Sequence, residues 1–162
     1  MKEDNSIHKS FKHGMNCSFG KFCIIEEDVI IGNNVTIENY VLLKKGTRIG
    51  NDCFIDSYVR SSGENKIGNK CTIRYGATIA KDVFIADGVF ISPNVMTIYS
   101  DPNGNHGIST YIGNNVFIGT AAVIRNSITI TDDVVIGAMS YVNMDCKKHG
   151  GLYVGQPAKL IG

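Results

Sequence analysis

Val29-Ile30-Ile31-Gly32-Asn33-Asn34-Val35-Thr36-Ile37-Glu38-Asn39-Tyr40-Val41-Leu42-Leu43 carries an aliphatic side chain at every sixth position: Ile31, Ile37 and Leu43. Followed outward, the same phase collects Phe19, Ile25, Ile49, Ile55, Ser61, Ile67, Ile73, Ile79, Ile85, Ile91 and Thr97, and only Ser61 and Thr97 are polar. It resumes at Ile112 and continues through Ile118, Ile124, Ile130, Ile136 and Val142. A helix repeats about every 3.6 residues and an amphipathic strand alternates, so a period of six belongs to neither. A short fixed period is the mark of a solenoid, in which each repeat buries its apolar side only against its neighbours.

The other places in the hexad describe a strand followed by a corner. Glycine often follows the aliphatic residue (Gly32, Gly50, Gly68, Gly113, Gly119, Gly137), and Asn or Asp commonly comes next, types that tolerate left-handed backbone angles. Four places on stands a small or β-branched residue such as Val35, Val41, Cys53, Cys71 or Val89. Three strands and three corners close one triangular coil of 18 residues, so residues 18 apart should stack in columns. One column holds Ile31, Ile49, Ile67 and Ile85, a second Ile37, Ile55, Ile73 and Ile91, and a third Leu43, Ser61, Ile79 and Thr97. Both polar breaks fall in the third column, which marks that side as a surface shaped for a purpose.

Composition narrows the function. The formal net charge is +1, from 16 Lys+Arg and 15 Asp+Glu, so nothing in bulk charge points to nucleic acid or an acidic membrane. The short basic pairs, Lys44-Lys45 and Lys147-Lys148, read as solvated surface. No apolar run is long enough to span a membrane, and the polar N-terminus is unlike a secretory signal; the expectation is a soluble cytoplasmic protein. Five cysteines without CxxC spacing argue against a disulfide framework and a zinc knuckle. Cys23, Cys53 and Cys71 take the small inward place, whereas Cys17 and Cys146 receive no assignment.

The phase breaks once. From Thr97 to Ile112 is 15 residues where a hexad needs 6, an insertion of 9. The segment over 98–111 is polar and holds Asp101, Asn103, Asn105 and His106, with His106 flanked by Asn105 and Gly107. Long loops on rigid scaffolds commonly carry function. An imidazole with a pKa near neutrality is suited to take a proton from an acceptor amine or hydroxyl. His106 is therefore the candidate general base, and Asp101, Asn103 and Asn105 are candidates to orient it or to bind an acceptor.

Taken together, the hexads over residues 19–161 resemble the hexapeptide-repeat acyltransferase superfamily. The resemblance implies an all-β fold, a left-handed parallel β-helix with one protruding loop and a short C-terminal cap. The expected division is a lead-in over 1–18, the β-helix over 19–145 and the cap over 146–162. Galactoside and serine acetyltransferases of that superfamily carry a histidine shortly before a run similar to Ile112-Gly113-Asn114-Asn115-Val116-Phe117-Ile118-Gly119-Thr120-Ala121-Ala122-Val123-Ile124. The ending Val154-Gly155-Gln156-Pro157-Ala158-Lys159-Leu160-Ile161-Gly162 resembles the "VGNPAKxIG" ending of its acetyltransferases, with Gln156 in place of asparagine. The resemblance implies acetyl-CoA as acyl donor and a CoA channel along the last coils between subunits. Small residues there, Gly119, Ala121, Gly137 and Ala138, would keep it open, and Lys147, Lys148 or Lys159 would meet the CoA phosphates.

Gly88-Val89-Phe90-Ile91-Ser92-Pro93-Asn94-Val95-Met96-Thr97 resembles the "GVFIGPxVxFTN" run of N-acetyltransferases acting on nucleotide-linked amino sugars for surface polysaccharides, with Ser92 in place of glycine. That makes such a sugar the expected acceptor, with Asn94, Arg60, Glu64, Arg74 and Tyr75 as candidate contacts, and the resemblance implies a homotrimer. O-acetylation of a sugar or another small hydroxyl acceptor stays open. So do a non-catalytic β-helix serving as an assembly module and a γ-class carbonic anhydrase, which has this fold and binds zinc through three histidines. The four histidines here are His8, His13, His106 and His149, and none lies within a regular hexad.

Overall fold

The computed structural model describes residues 4–101, 103–105 and 109–161. Among them, two-residue strands alternate with four-residue corners and build sheets of eight, seven and nine strands, the faces of a triangular prism, parallel throughout except for the three-residue strands Leu152–Val154 and Lys159–Ile161, which pair antiparallel at the end of the third. The first face begins with Ser6–Ile7, the second with Lys12–His13 and the third with Ser18–Phe19, and every later coil visits them in that order. The fold is a left-handed parallel β-helix. In each strand the first residue points outward and the second inward, the alternation any strand imposes.

The register follows the columns. Ile73 pairs with Ile55 below and Ile91 above, and none of the three has exposed surface. Above the insertion Phe84 pairs with Tyr111 and Met96 with Val123, a spacing of 123 − 96 = 27. Since 27 − 18 = 9, the coil closes as though the extra residues were absent. The insertion therefore leaves the prism after Thr97 and rejoins it at Tyr111, at the corner between the first and second faces.

The Gly-Asn-Asn sequences explain the corner between the second and third faces. The Asn33 N–H donates to Asn51 Oδ1 at 2.8 Å, Asn51 N–H to Asn69 Oδ1 at 2.9 Å, and Asn69 N–H to Asp87 Oδ1 at 2.7 Å. The ladder continues through Asn114 Oδ1 to Asp132 Oδ1. Each side chain caps a corner amide of the coil beneath it, an amide that the strand pattern leaves unpaired. A Cβ at Gly50 would lie 2.7 Å from the Gly68 backbone, so these coils stack too closely for any side chain there.

Three expectations change. The segment 1–18 is not a separate lead-in where it is described: Ser6–Ile7, Lys12–His13 and Ser18–Phe19 pair with Ile24–Ile25, Ile30–Ile31 and Thr36–Ile37 as a further coil. The polar breaks of the third column shape the interior rather than the surface. Ser61 is buried and hydrogen-bonds Thr47 Oγ1 at 2.6 Å and the Asn65 side chain, whose amide donates to the Ala80 carbonyl. Thr97, also buried, accepts from the Ala80 N–H at 2.6 Å. The two unassigned cysteines find places: Cys17 sits half-buried one coil below Val35, and Cys146 is buried against Ile130. Burial pushes the Cys146 thiol up to about 12, so it packs as an apolar group.

Candidate active site

Two neighbouring corners flank the C-terminal half of the first face, whose outward residues there are Met96, Val123 and Tyr141. The corner between the first and second faces throws out the loop. Asp101 organises its described part, accepting from the Asn103 N–H at 2.9 Å, the Asn105 N–H at 2.9 Å and the Asn105 side-chain amide at 3.0 Å. Those donors, the Asn105 side chain first, hold the Asp101 carboxyl below its ordinary range. Asp101, Asn103 and Asn105 are thus brought together as one turn, and Arg125 of the following coil adds a favourable charge. His106 lies outside the described residues.

The opposite corner, between the third and first faces, carries a hollow of about 450 Å³ beside the last coils. Its lining includes Ala121, Val123, Met139, Tyr141, Gln156 and Pro157. Gln156 Nε2 donates to the Met139 carbonyl at 2.7 Å and the Gly155 N–H to Ser140 Oγ at 3.1 Å, so the C-terminal segment forms one wall. Asn143 also lines it, and its Oδ1 is buried without a hydrogen-bond donor. A buried acceptor of that kind is costly unless something donates to it.

Of the small residues expected to open a groove, only Ala121 lines the hollow. Gly119 and Gly137 serve coil stacking instead: a Cβ would meet the Ala138 backbone at 2.5 Å in one case and Val154 Cγ1 at 2.7 Å in the other. Ala138 is exposed on the same corner. Asn94 stands in that corner column directly below Ala121, held between the Tyr75 carbonyl and the rung above. Lys159 follows Ala158, whose N–H donates to the Tyr141 carbonyl at 2.7 Å, and sits opposite Val154 in the terminal strand, two residues beyond Pro157 of the lining. Lys147 and Lys148 lie on a different corner with His149, which pairs with Asp133 at 2.9 Å. The other acceptor candidates are scattered. Arg60 points out from the first face, Glu64 lies on the loop's corner lower down, Arg74 is tied to Asp56 at 3.0 Å, and Tyr75 packs against Tyr58. Reading the sequence missed Met139, Tyr141, Asn143 and Gln156, which only the closing of the last coil assembles.

Residues 1–101 match the model of the family described as the GMPPB C-terminal domain, and residues 109–143 that of the bacterial transferase hexapeptide (six repeats). The chain belongs to the GMPPB C-terminal domain family, and its later coils carry the bacterial transferase hexapeptide repeat. A galactoside O-acetyltransferase from Escherichia coli (strain K12) is 37% identical to this hexapeptide-repeat chain over an alignment of 98 residues that covers 54% of the chain and 48% of the relative. The chain thus spans about half the length of that curated relative. Among solved structures, the UDP-N-acetylglucosamine acyltransferase from Campylobacter jejuni superposes with a TM-score of 0.78 at 20% identity, covering 99% of this chain and 73% of its own. AntD, an N-acyltransferase from Bacillus cereus solved in complex with dTDP and coenzyme A, gives 0.62 at 23% identity, with 93% and 82% covered. These two likenesses speak for the fold. Among the described residues no group of three or more His, Cys, Asp and Glu side chains gathers as a metal site.

Proposed function

We propose that this chain transfers an acetyl group from acetyl-CoA to the amino group of a nucleotide-linked sugar. The observation that carries the reading is the hollow walled by Gln156 and Pro157 beside the last coils. A pantetheine arm is narrow and largely apolar, so it fits an apolar trough of that size. Lys159, two residues beyond Pro157, is the cation that would meet a CoA phosphate. Acyl transfer then needs the acceptor nitrogen to attack the thioester carbonyl, the C–N bond to form and the C–S bond to break. His106 takes the proton from the acceptor nitrogen and returns it to the departing sulfur, so CoA leaves as the thiol. A backbone N–H of the coils serves the developing oxyanion.

A second reading, O-acetylation of a sugar hydroxyl, is favoured by the relationship to the galactoside O-acetyltransferase. The chemistry at His106 is the same, with a stronger demand for a base because a hydroxyl keeps its proton at neutral pH. A homotrimer suits either case. The third face exposes an apolar column of Phe117, Val135, Leu152 and Ile161 in neighbouring strands, the kind of surface that an interface covers.

Calorimetric titration with acetyl-CoA tests the proposal. Binding is expected in the wild type and its loss in Ala121→Phe, which fills the hollow. Absence of any CoA binding by the wild type would overturn the acyltransferase reading in favour of an assembly module.

A further inference from the structure

The outward column of the second face reads Lys12, Ile30, Arg48, Lys66, Phe84, Tyr111, Thr129 from bottom to top. Arg48 and Lys66 are partners in adjacent strands, both exposed, one rung or about 4.8 Å apart. Like charges directly opposite each other destabilise a sheet. Four other cations are answered by acids: Lys45 by Glu27 at 2.9 Å, Arg74 by Asp56 at 3.0 Å, Lys21 by Asp4 at 3.6 Å and Lys147 by Asp145 at 3.6 Å. Neither Arg48 nor Lys66 has an ion pair among the described residues, and no other two cations face each other across neighbouring strands. The next two rungs carry Phe84 and Tyr111, stacked with centroids 5.2 Å apart and planes within 10°, each 37% exposed.

A cation pair and a ring pair in one column ask for a ligand that is anionic at one end and flat at the other. The step from the middle of the cation pair to the middle of the ring pair is two rungs, roughly 10 Å. That is the span from the pyrophosphate of a nucleoside diphosphate to its base. Between the two ends lies a hollow of about 400 Å³ lined by Lys66, Phe84, Glu64, Asp82 and Ser109. Its carboxylates, Glu64 and Asp82, are acceptors for ribose hydroxyls. Ser109 belongs to the loop, and Tyr111 is where the loop rejoins the sheet.

We propose that this column anchors the nucleoside diphosphate part of a sugar nucleotide, with base on Phe84–Tyr111 and diphosphate on Arg48–Lys66. The inference rests on the acceptor being nucleotide-linked. It places the handle of the acceptor on the face beside the loop that carries His106, separate from the hollow assigned to CoA.

The test is calorimetry on the full chain with UDP, dTDP and GDP, and with inorganic pyrophosphate and uridine as controls. At least one nucleoside diphosphate should bind more tightly than either control. Arg48→Gln with Lys66→Gln should weaken it by about tenfold or more, without lowering the melting temperature, since the substitutions relieve a repulsion. Phe84→Ala should weaken the diphosphates and leave pyrophosphate unchanged. The proposal falls if no nucleoside diphosphate binds at millimolar concentration, if pyrophosphate binds as tightly as they do, or if the double variant binds like the wild type. Acetyl-CoA binding is measured in parallel. Retained CoA binding without nucleotide binding overturns this inference alone, whereas nucleotide binding without CoA binding overturns the acyltransferase reading and leaves this site standing.

Discussion

Replacing Ile73 by alanine probes the stacking of the coils directly. Ile73 has no exposed surface and lies between Ile55 and Ile91, equally enclosed, in a column fixed by backbone pairing above and below. The substitution removes Cγ1, Cγ2 and Cδ1. At about 0.8 kcal/mol per buried carbon the transfer loss is about 2.4 kcal/mol. The coils above and below are held by their own ladders and cannot collapse into the gap, which adds about 1 kcal/mol for the cavity. The expected total is about 3.5 kcal/mol, or a fall of roughly 10 °C in melting temperature for a chain of this length. Urea unfolding followed by circular dichroism measures it, with Thr72→Ala as the control because Thr72 points outward on the same strand. The control should lose less than about 1 kcal/mol. An Ile73→Ala loss as small as that, at an unchanged dependence on urea, would refute the register.

His106→Ala should leave folding and CoA affinity intact and lower turnover by roughly 10²–10⁴-fold, with the wild-type rate rising through an apparent pKa near 6–7 that the variant lacks; a variant with near wild-type turnover and the same pH profile would make His106 a bystander. The Asp101 carboxyl is held below its ordinary value of 3.8 by the Asn105 and Asn103 donors, so its contribution to the turn is fully present above that pH and lost as the pH falls through the lowered value. NMR titration should find an Asp101 midpoint under 3.8 in the wild type and a midpoint moved back up in Asn105→Ala. Light scattering should give a trimer, and Val135→Lys on the apolar third face should shift it toward monomer; a wild-type monomer at working concentration would remove the interface from the model of action.

The prism was legible because each coil repeats one requirement. An inward strand residue with neighbours on all sides must be aliphatic, and Ile31, Ile37 and Leu43 announce it every six residues. The first coil stayed hidden because that requirement is relaxed in the first described coil, where His13 takes an inward place. Ile7, His13 and Phe19 keep the phase, but no described strand lies beneath His13, which packs its ring against Phe11 and Phe19. The end of the chain was obscured by slips in spacing. Ile130 meets Cys146 after 16 residues and Ile136 meets Tyr153 after 17, so the columns drift out of count. The candidate site shows the same divide. The loop was visible as a broken period, whereas the hollow depends on Gln156 folding back to Met139, a contact that no periodicity encodes. The in-register Arg48 and Lys66 were in the sequence 18 residues apart, and stacking the outward positions as well as the inward ones would have found them.

The asparagine ladder of the second corner has a direction. Every rung lends its side-chain oxygen downward, so each coil's corner amide depends on the coil that follows it in the chain. The amide of the following residue points the other way, as Asp52 N–H does to the Asn33 carbonyl at 2.9 Å and Lys70 N–H to the Asn51 carbonyl at 2.8 Å, so each coil is tied at this corner both to the one above and to the one below. A longer relative would be built most economically by inserting whole units whose corner already offers an Asn or Asp to the rung below.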